Sequence, residues 1–561
     1  MESHELSHAK VQREQHRSHP KDHRRAFWQR WLLINSLISG VMALCWLLLR
    51  SGTKPSRFTY PCQQVAFSTA WLALGGPLVG TLVTARRRLI AALRSRAGIA
   101  SAALGLFVIS GMWGYLSRAD VYQGPRLDPP RDYRAQVYHV TDCPQDSAGE
   151  RFVGLDHLIT LMGSQGLKFY RSESESLVAG PDGIIAADDT VVIKINYMFG
   201  DRGGTNTDLL RGLIRRIVDH PDTFAGEVVV CENSQTVYMY GFNRQNNNAQ
   251  DIGLSPRDVI DGFQAQGYPV SRRSWRVFRT TQVDEYSDGD LADGYVVYPY
   301  DSQLDGRISY PKFQTDNGTY VSLKYGLWDP DSGTYDREHL KLINVPVLKS
   351  HHTDYGVTAC VKNNMGVVTS GLDTNSHYAI QWGILGALLG EIQLADLNIL
   401  DCIWINANPY EGPPSPYEIA TRRDELVASV DPVAADIWAA TNILIPGFLD
   451  NGFTPPWPEP SADPADPNSA FREYLDNSMY WILAAGYDVT NNLDQIDAIT
   501  WNGVGDLDND GDVNIADLAQ LLGAYGSTGG ATYYDGDLDG DDDVDIYDLA
   551  TLLSVYGTAC P

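Results

Sequence analysis

The sequence predicts an α/β fold, a mostly parallel sheet covered by helices, preceded by three transmembrane helices and followed by a small all-α domain with paired calcium loops. Three observations predict it. Long apolar runs open the chain, β-branched runs alternate with helical stretches through its middle, and an aspartate-rich motif repeats at its end. A chain of 561 residues exceeds what one hydrophobic core usually supports. We divide it into a basic cytoplasmic arm at 1–26, three transmembrane helices within 27–118, an α/β domain at 119–450, a Pro-rich segment and helical extension at 451–502, and the repeat pair at 503–561.

The apolar runs are Trp31–Leu49, Val65–Ala85 and Ala97–Leu116, of 19, 21 and 20 residues without a charge. Each suffices for a bilayer core, which takes about 20 helical residues. A cleaved signal peptide has a shorter apolar stretch and is not followed by two more. Basic residues set the orientation, since Lys and Arg stay on the cytoplasmic side. The arm and the second loop (Arg86, Arg87, Arg88, Arg94, Arg96) outweigh the first loop (Arg50, Lys54, Arg57), which puts the N-terminus inside the cell and residues 119–561 outside. The His-rich opening (His4, His8, His16, His19, His23) reads as a solvated or lipid-facing arm.

Residues 1–118 hold 16 Lys+Arg and 4 Asp+Glu, so the remainder holds 27 against 66 and carries a net −39. Nucleic acid is therefore excluded as a partner, because phosphate binding relies on clustered cations. Five outer cysteines, Cys143, Cys231, Cys360, Cys402 and Cys560, include no C-x-x-C pair, which argues against an iron–sulfur or Cys-rich zinc site. An oxidising exterior permits one or two disulfides and leaves a thiol over.

In the middle, TVVIKINY (190–197) predicts a strand, GDRGGTNT a turn, DLLRGLIRRIVDH a helix and EVVVCENS (227–234) the next strand. LKLINVPVLKS, the helical HYAIQWGILGALLGEIQL, the strand LNILDCIWIN and the helix PVAADIWAATNIL continue the alternation, as in a parallel sheet covered by helices. Ligands of such folds collect at the carboxyl ends of the strands. Lys194 and Asn196 fall at one such end, Lys349 and His351 at another, and Lys362 with Asn363 follows shortly after. Three lysines there predict a positive pocket for carboxylate or phosphate. His351 and His352, adjacent in a strand, point to opposite faces and do not share a metal. GDRGGTNT matches no nucleotide fingerprint, and its Thr205, Asn206 and Thr207 read as an ordinary helix cap.

VVIKIN, NVPVLKSHH, VTACVKNNMG and VASVDPVAAD, in this order, resemble the domain of unknown function family 362 over roughly residues 120–450, with FREYLDNSMYWILAAGY as a C-terminal extension. The resemblance implies an α/β domain without a settled activity, whose relatives are often exported or carry ferredoxin-like cysteine clusters; this chain has no such clusters. Carried onto matching positions, it marks Lys194, Asn196, Lys349, His351, Lys362, Asn363, Asp431 and Asp436 as candidate site residues. No G-x-S-x-G elbow is present. Asp431, Asp436 and Glu232, with many aromatic residues, leave a polysaccharide-degrading hydrolase open as an alternative, beside a redox-associated enzyme and a structural cell-surface assembly protein without catalysis.

After Gly505 the chain holds 13 Asp and no Lys or Arg. GDLDNDGDVNIADLAQLLGAYG (505–526) recurs 31 residues later as GDLDGDDDVDIYDLATLLSVYG (536–557). On the twelve-residue calcium-loop pattern, Asp506, Asp508, Asp510 and Asp517 supply side chains and Asp512 a backbone carbonyl; the second loop uses Asp537, Asp539, Asp541 and Asp548, with Asp543 giving the carbonyl. Carboxylates this dense repel one another unless a divalent cation neutralises them, and calcium accepts six to eight such oxygens. Gly511 meets the sharp turn of the first loop, where the second has Asp542. The tail resembles a type I dockerin, which implies calcium-dependent folding and docking onto a cohesin-like protein. Ile515-Ala516 and Ile546-Tyr547 stand where many dockerins carry Ser and Thr, which points to a different partner.

Together these features predict a membrane-anchored, outward-facing α/β domain that binds a small anionic or polar ligand and carries a calcium-dependent docking tail.

Overall fold

A computed structural model describes residues 127–557 apart from short stretches at 142, 144–151, 235–240, 244–253, 353–354, 502, 504, 509–511, 529–530, 532–534 and 539–542. The basic arm and the three apolar runs lie outside the described residues, as do Asp510, Asp539 and Asp541.

Ten strands form the central sheet: β1 (Ala135–Val140), β2 (Thr190–Ile195), β3 (Glu227–Glu232), β4 (Val270–Ser274), β5 (Leu340–Val345), β6 (Val347–His351), β7 (Gly356–Thr358), β8 (Leu397–Asn406), β9 (Ala420–Ser429) and β10 (Ile496–Trp501). Their order is β10-β1-β9-β8-β5-β2-β3-β4, and β6 extends the line of β5 past Pro346 to pair with β8 and β7. The run β8-β5-β2-β3-β4 is parallel throughout. The sheet is thus largely parallel, as expected, but β9 lies antiparallel between β1 and β8, and β7 folds back antiparallel on β6.

Side chains leave alternate faces of a strand, and here the alternation separates two cores. Val191 and Ile193 of β2 and Val228 and Val230 of β3 enter one with α1 (Val153–Ser164), α2 (Thr207–Val218) and α3 (Pro256–Ala265). Val192 and Val229 enter the other, packed under α5 (Ile384–Ile392), α6 (Pro432–Ala439) and α8 (Ala470–Ala484); the short α4 (Cys360–Asn363) precedes them. Each fully buried valine contributes about 1.5–3 kcal/mol. Helices on both faces of a parallel sheet bury β2 and β3 along their whole length, so their valine and isoleucine runs do not alternate with polar residues.

α6 continues through a π turn at Ala440–Leu444 into α7 (Ile445–Asp450). This stretch is the one described helix long and apolar enough to span a bilayer, and 67% of its apolar window is buried inside the domain, as a core helix requires. The segment 451–502, expected as an extension beyond the α/β domain, is built into it: α8 packs on α5, and β10 pairs in parallel with β1. A five-stranded antiparallel meander (Gly294–Val297, Ser309–Gln314, Tyr320–Ser322, Gly326–Asp329, Thr334–Asp336) is inserted ahead of β5. Cys143, Cys231, Cys360 and Cys402 are all buried, and the last three are free thiols.

The tail holds α9 (Ile515–Ala524) and α10 (Ile546–Val555), each started by a capping box. The repeats close on each other reciprocally: Gly526 N donates to Val544 O and Gly557 N to Val513 O, both at 2.8 Å.

Candidate functional site

At the carboxyl ends of β2, β3 and β6 lies a cavity of about 250 Å³. Its walls include Asn196, Glu232, Lys349, His351, Thr358, Lys362, Asn363 and His377, with Phe199, Met198 and Met365 as apolar surface. Five of the eight expected α/β site residues therefore meet in one hollow: Asn196, Lys349, His351, Lys362 and Asn363.

Local structure places each of them. Lys349 and His351 alternate along β6 and so share a face, whereas His352 points away and is outside the cavity lining. β7 returns beside β6, which brings Thr358 opposite Lys349 in register and its Oγ1 2.7 Å from His351 Nδ1. α4 begins directly after β7 and carries Lys362 and Asn363 to the same rim. Asp436 on α6 holds that four-residue helix by accepting from Cys360 N at 2.6 Å and Val361 N at 3.0 Å. Asn363 Nδ2 donates to Asn344 Oδ1 at 2.8 Å, and Asn344 Nδ2 donates to Asn398 Oδ1 at 2.9 Å, an amide chain that fixes α4 to β5 and β8.

The electrostatics are those of a desolvated cationic cluster. Lys349 is 1% exposed; its Nζ donates to Asn196 Oδ1 at 3.4 Å and to Gly203 O, and no carboxylate lies within ion-pair distance among the described residues. Burial and the charge on Lys362 push Lys349 down to about 7, while Glu232 and Asp401 act against this. Lys362 Nζ lies 3.0 Å from His351 Nδ1. Burial, then Lys362 and Lys349, hold His351 well below its ordinary value, so it is neutral at pH 7. The ammonium of Lys362 has only donors to offer, so Nδ1 accepts and Nε2 bears the imidazole proton. His377 is likewise lowered, to about 4, by burial and Lys362.

Three expected residues sit elsewhere. Lys194 does not line the cavity; it lies behind Glu232, with Nζ 2.6 Å from the carboxylate, and burial opposes charge on both members of the pair. Asp431 caps α6 through Val433 N and Ala434 N, and its other oxygen accepts from Thr490 N and Tyr133 Oη. Asp436 supports α4 as described. The two aspartates are thus tied up as acceptors, away from the cavity lining. Thr205, Asn206 and Thr207 act as the cap they resemble: Asn206 accepts from Asp208 N and Leu209 N, and Asp401 accepts from Asn206 N at 2.8 Å.

Sequence reasoning named Glu232 only as a carboxylate open to glycan chemistry and did not find Thr358 or His377. Glu232 ends a strand three positions beyond the centre of a valine run, which was its one visible signal. His377 opens the stretch read as helical, but it lies in a turn before the helix, which starts only at Ile384.

In the tail, oxygens of Asp506, Asp508 and Asp517 lie within 4.8 Å of one another, and a second such group joins Asp543, Asp545 and Asp548. All are hard oxygen donors of the kind that suit a divalent cation. Asp517 Oδ1 accepts from Leu507 N and its Oδ2 from Asn514 N; Asp548 repeats this with Leu538 N and Asp545 N. Asp545, the cap of α10, thus belongs to a group from which the spacing had omitted it, and Asp537 is buried nearby in sequence but outside that group. Asp512 O accepts from Asn514 Nδ2 at 3.3 Å.

A known family, Domain of unknown function (DUF362), matches residues 337–441. That span contributes Lys349, His351, Thr358, Lys362, Asn363 and His377 to the cavity, whereas Asn196 and Glu232 lie before it. No dockerin domain is found in the tail. No curated protein and no solved structure matches the chain.

Proposed function

We propose that the chain is a membrane-anchored, outward-facing protein whose α/β domain binds a small anionic ligand between Lys349 and Lys362. The observation that carries this is Lys349, buried in the cavity wall with oxygen acceptors but no carboxylate among the described residues. A buried cation needs a counter-charge, and an anion entering the cavity supplies it. Neutral His351 adds an N–H donor. Calorimetric titration with phosphate and with short carboxylic acids tests the reading: one of them binds, and Lys349→Met or Lys362→Met weakens it at least about tenfold, worth about 1.4 kcal/mol. Equal affinity in both variants would end it.

The tail acts as a calcium-dependent, dockerin-like docking module. Its clustered carboxylates and reciprocal repeat contacts support this, as do Ile515, Ile546 and Tyr547, which are 66%, 57% and 68% exposed at the helix starts. Large apolar side chains in solvent beside each loop suit a protein partner, cohesin-like or otherwise. Calcium should raise the melting temperature of the tail and a chelator should reverse it; an unchanged melt argues against metal sites. The membrane assignment rests on the three apolar runs and flanking arginines. Protease added to intact cells should remove the domain and leave the basic arm protected.

A further inference from the structure

We propose that Lys349 is the amine of a Schiff base, condensing with the carbonyl of a short-chain oxo acid whose carboxylate is held by Lys362. The proposal rests on the anion-binding reading of the same cavity and adds a reaction to it.

The geometry around the nitrogen points there. Nζ of Lys349 has three positions beyond its carbon, and Asn196 Oδ1 and Gly203 O take two as acceptors. The third meets no hydrogen-bond acceptor among the described residues, on a side chain that lines the cavity with Nζ 5.2 Å from the ring centre of Phe199. A deprotonated amine in this setting donates both N–H groups to fixed oxygens and presents its lone pair at the third position. Desolvation and a neighbouring cation are the two devices that turn a lysine into a nucleophile, and Lys349 has both, since burial and Lys362 are the largest influences lowering it. Lys194 lowers it further, whereas Glu232 and Asp401 raise it. His351 and His377, both neutral, complete the titratable wall. About 250 Å³ suits a small acid.

The step balances within these groups. The lone pair of Nζ attacks the carbonyl carbon, a C–N bond forms, and the C=O π pair moves to oxygen, which takes a proton from the nitrogen. The nitrogen pair then forms C=N as the C–O bond breaks, and the hydroxyl leaves with a proton as water. Amine and ketone thus give imine and water, both hydrogens of the water coming from the amine and with no change in oxidation level; one proton from solvent on the imine nitrogen then gives the iminium. Lys362 fixes the carboxylate so that the carbonyl faces Nζ.

The test is reductive trapping of the whole protein with cyanoborohydride in the presence of pyruvate, acetoacetate, oxaloacetate or 2-oxoglutarate, followed by peptide mass mapping, with binding measured in parallel by calorimetry. The expected result is one adduct, at Lys349, heavier by the oxo acid less one oxygen atom. Its yield rises as pH climbs through about 7. Lys362→Gln moves that rise to higher pH, an effect that a merely structural lysine would not produce. Lys349→Met carries no adduct, and mapping of the unaltered protein decides the matter should this variant fail to fold. Binding without an adduct, or adducts spread over exposed lysines, overturns the Schiff base and leaves anion binding standing. Neither binding nor adduct with any of the four acids overturns both.

Discussion

Gly366 touches the carboxylate of Glu232 so closely that a Cβ added there would lie 1.9 Å from Oε2. The oxygen cannot retreat cheaply, because Lys194 holds it at 2.6 Å. Gly366→Ala should therefore separate the Lys194–Glu232 pair and cost roughly 1–3 kcal/mol, as overpacking does, readable by chemical denaturation. Removing the carboxylate is harsher. Glu232→Gln leaves Lys194 buried without a counter-charge, and about 3–5 kcal/mol of stability should be lost. At this scale a polar residue that interrupts an apolar run at a strand end is visible in the sequence, but the pattern is the same for Lys349, which lines the cavity, and for Lys194, which is paired with Glu232 outside the lining. The sequence was not readable for Asp431 and Asp436, which the resemblance marks as site residues but whose oxygens are used by backbone amides of α4, α6 and Thr490.

Elements place what residues alone cannot. α4 has four residues, too short to stand without support, and the carboxylate of Asp436 satisfies its first two amides. Asp436→Asn turns one acceptor into a donor facing an N–H group. The expected loss is about 1–3 kcal/mol, with weaker anion binding even though Lys349 and Lys362 are intact, checked by melting and titration together. β2, β3, β5 and β8 could be read from β-branched runs because both faces of a parallel strand are buried. β9 could not: its first half, Ala420–Asp424 in ATRRDELVAS, carries charges and is partly exposed, so no single periodicity marks the strand. The meander strands, of three to six residues among Gly and Asp, give too short a pattern to detect.

For the whole molecule, the buried ionisable groups predict an unusual pH profile. Burial raises Asp431 and Asp436 to about 7 from 3.8, so the folded state keeps protons that the unfolded state releases, and stability falls as pH rises from about 4 to 7. Lys349, lowered to about 7 from 10.5, works in the opposite sense: its contribution is complete above about 10.5 and is lost as pH falls toward 7. Thermal melts of the ligand-free protein should therefore show a minimum near neutrality from these three groups. Lys349→Met should flatten the alkaline limb, and Asp431→Asn should make the acid limb shallower, with the share of Asp436 remaining.

β1 and β10 run side by side in the same direction, matched over six residues from Ala135↔Ile496 to Val140↔Trp501. The chain enters the first strand at Ala135 and departs for the tail at Trp501, which are opposite ends of the ribbon. Tension between the two termini would therefore slide one strand along the other and strain every rung of the ladder at once, instead of peeling rungs singly. A protein fastened at one terminus and gripped at the other would be held in its toughest direction, and stretching single molecules end to end should need more force than tugging β10 sideways off the edge.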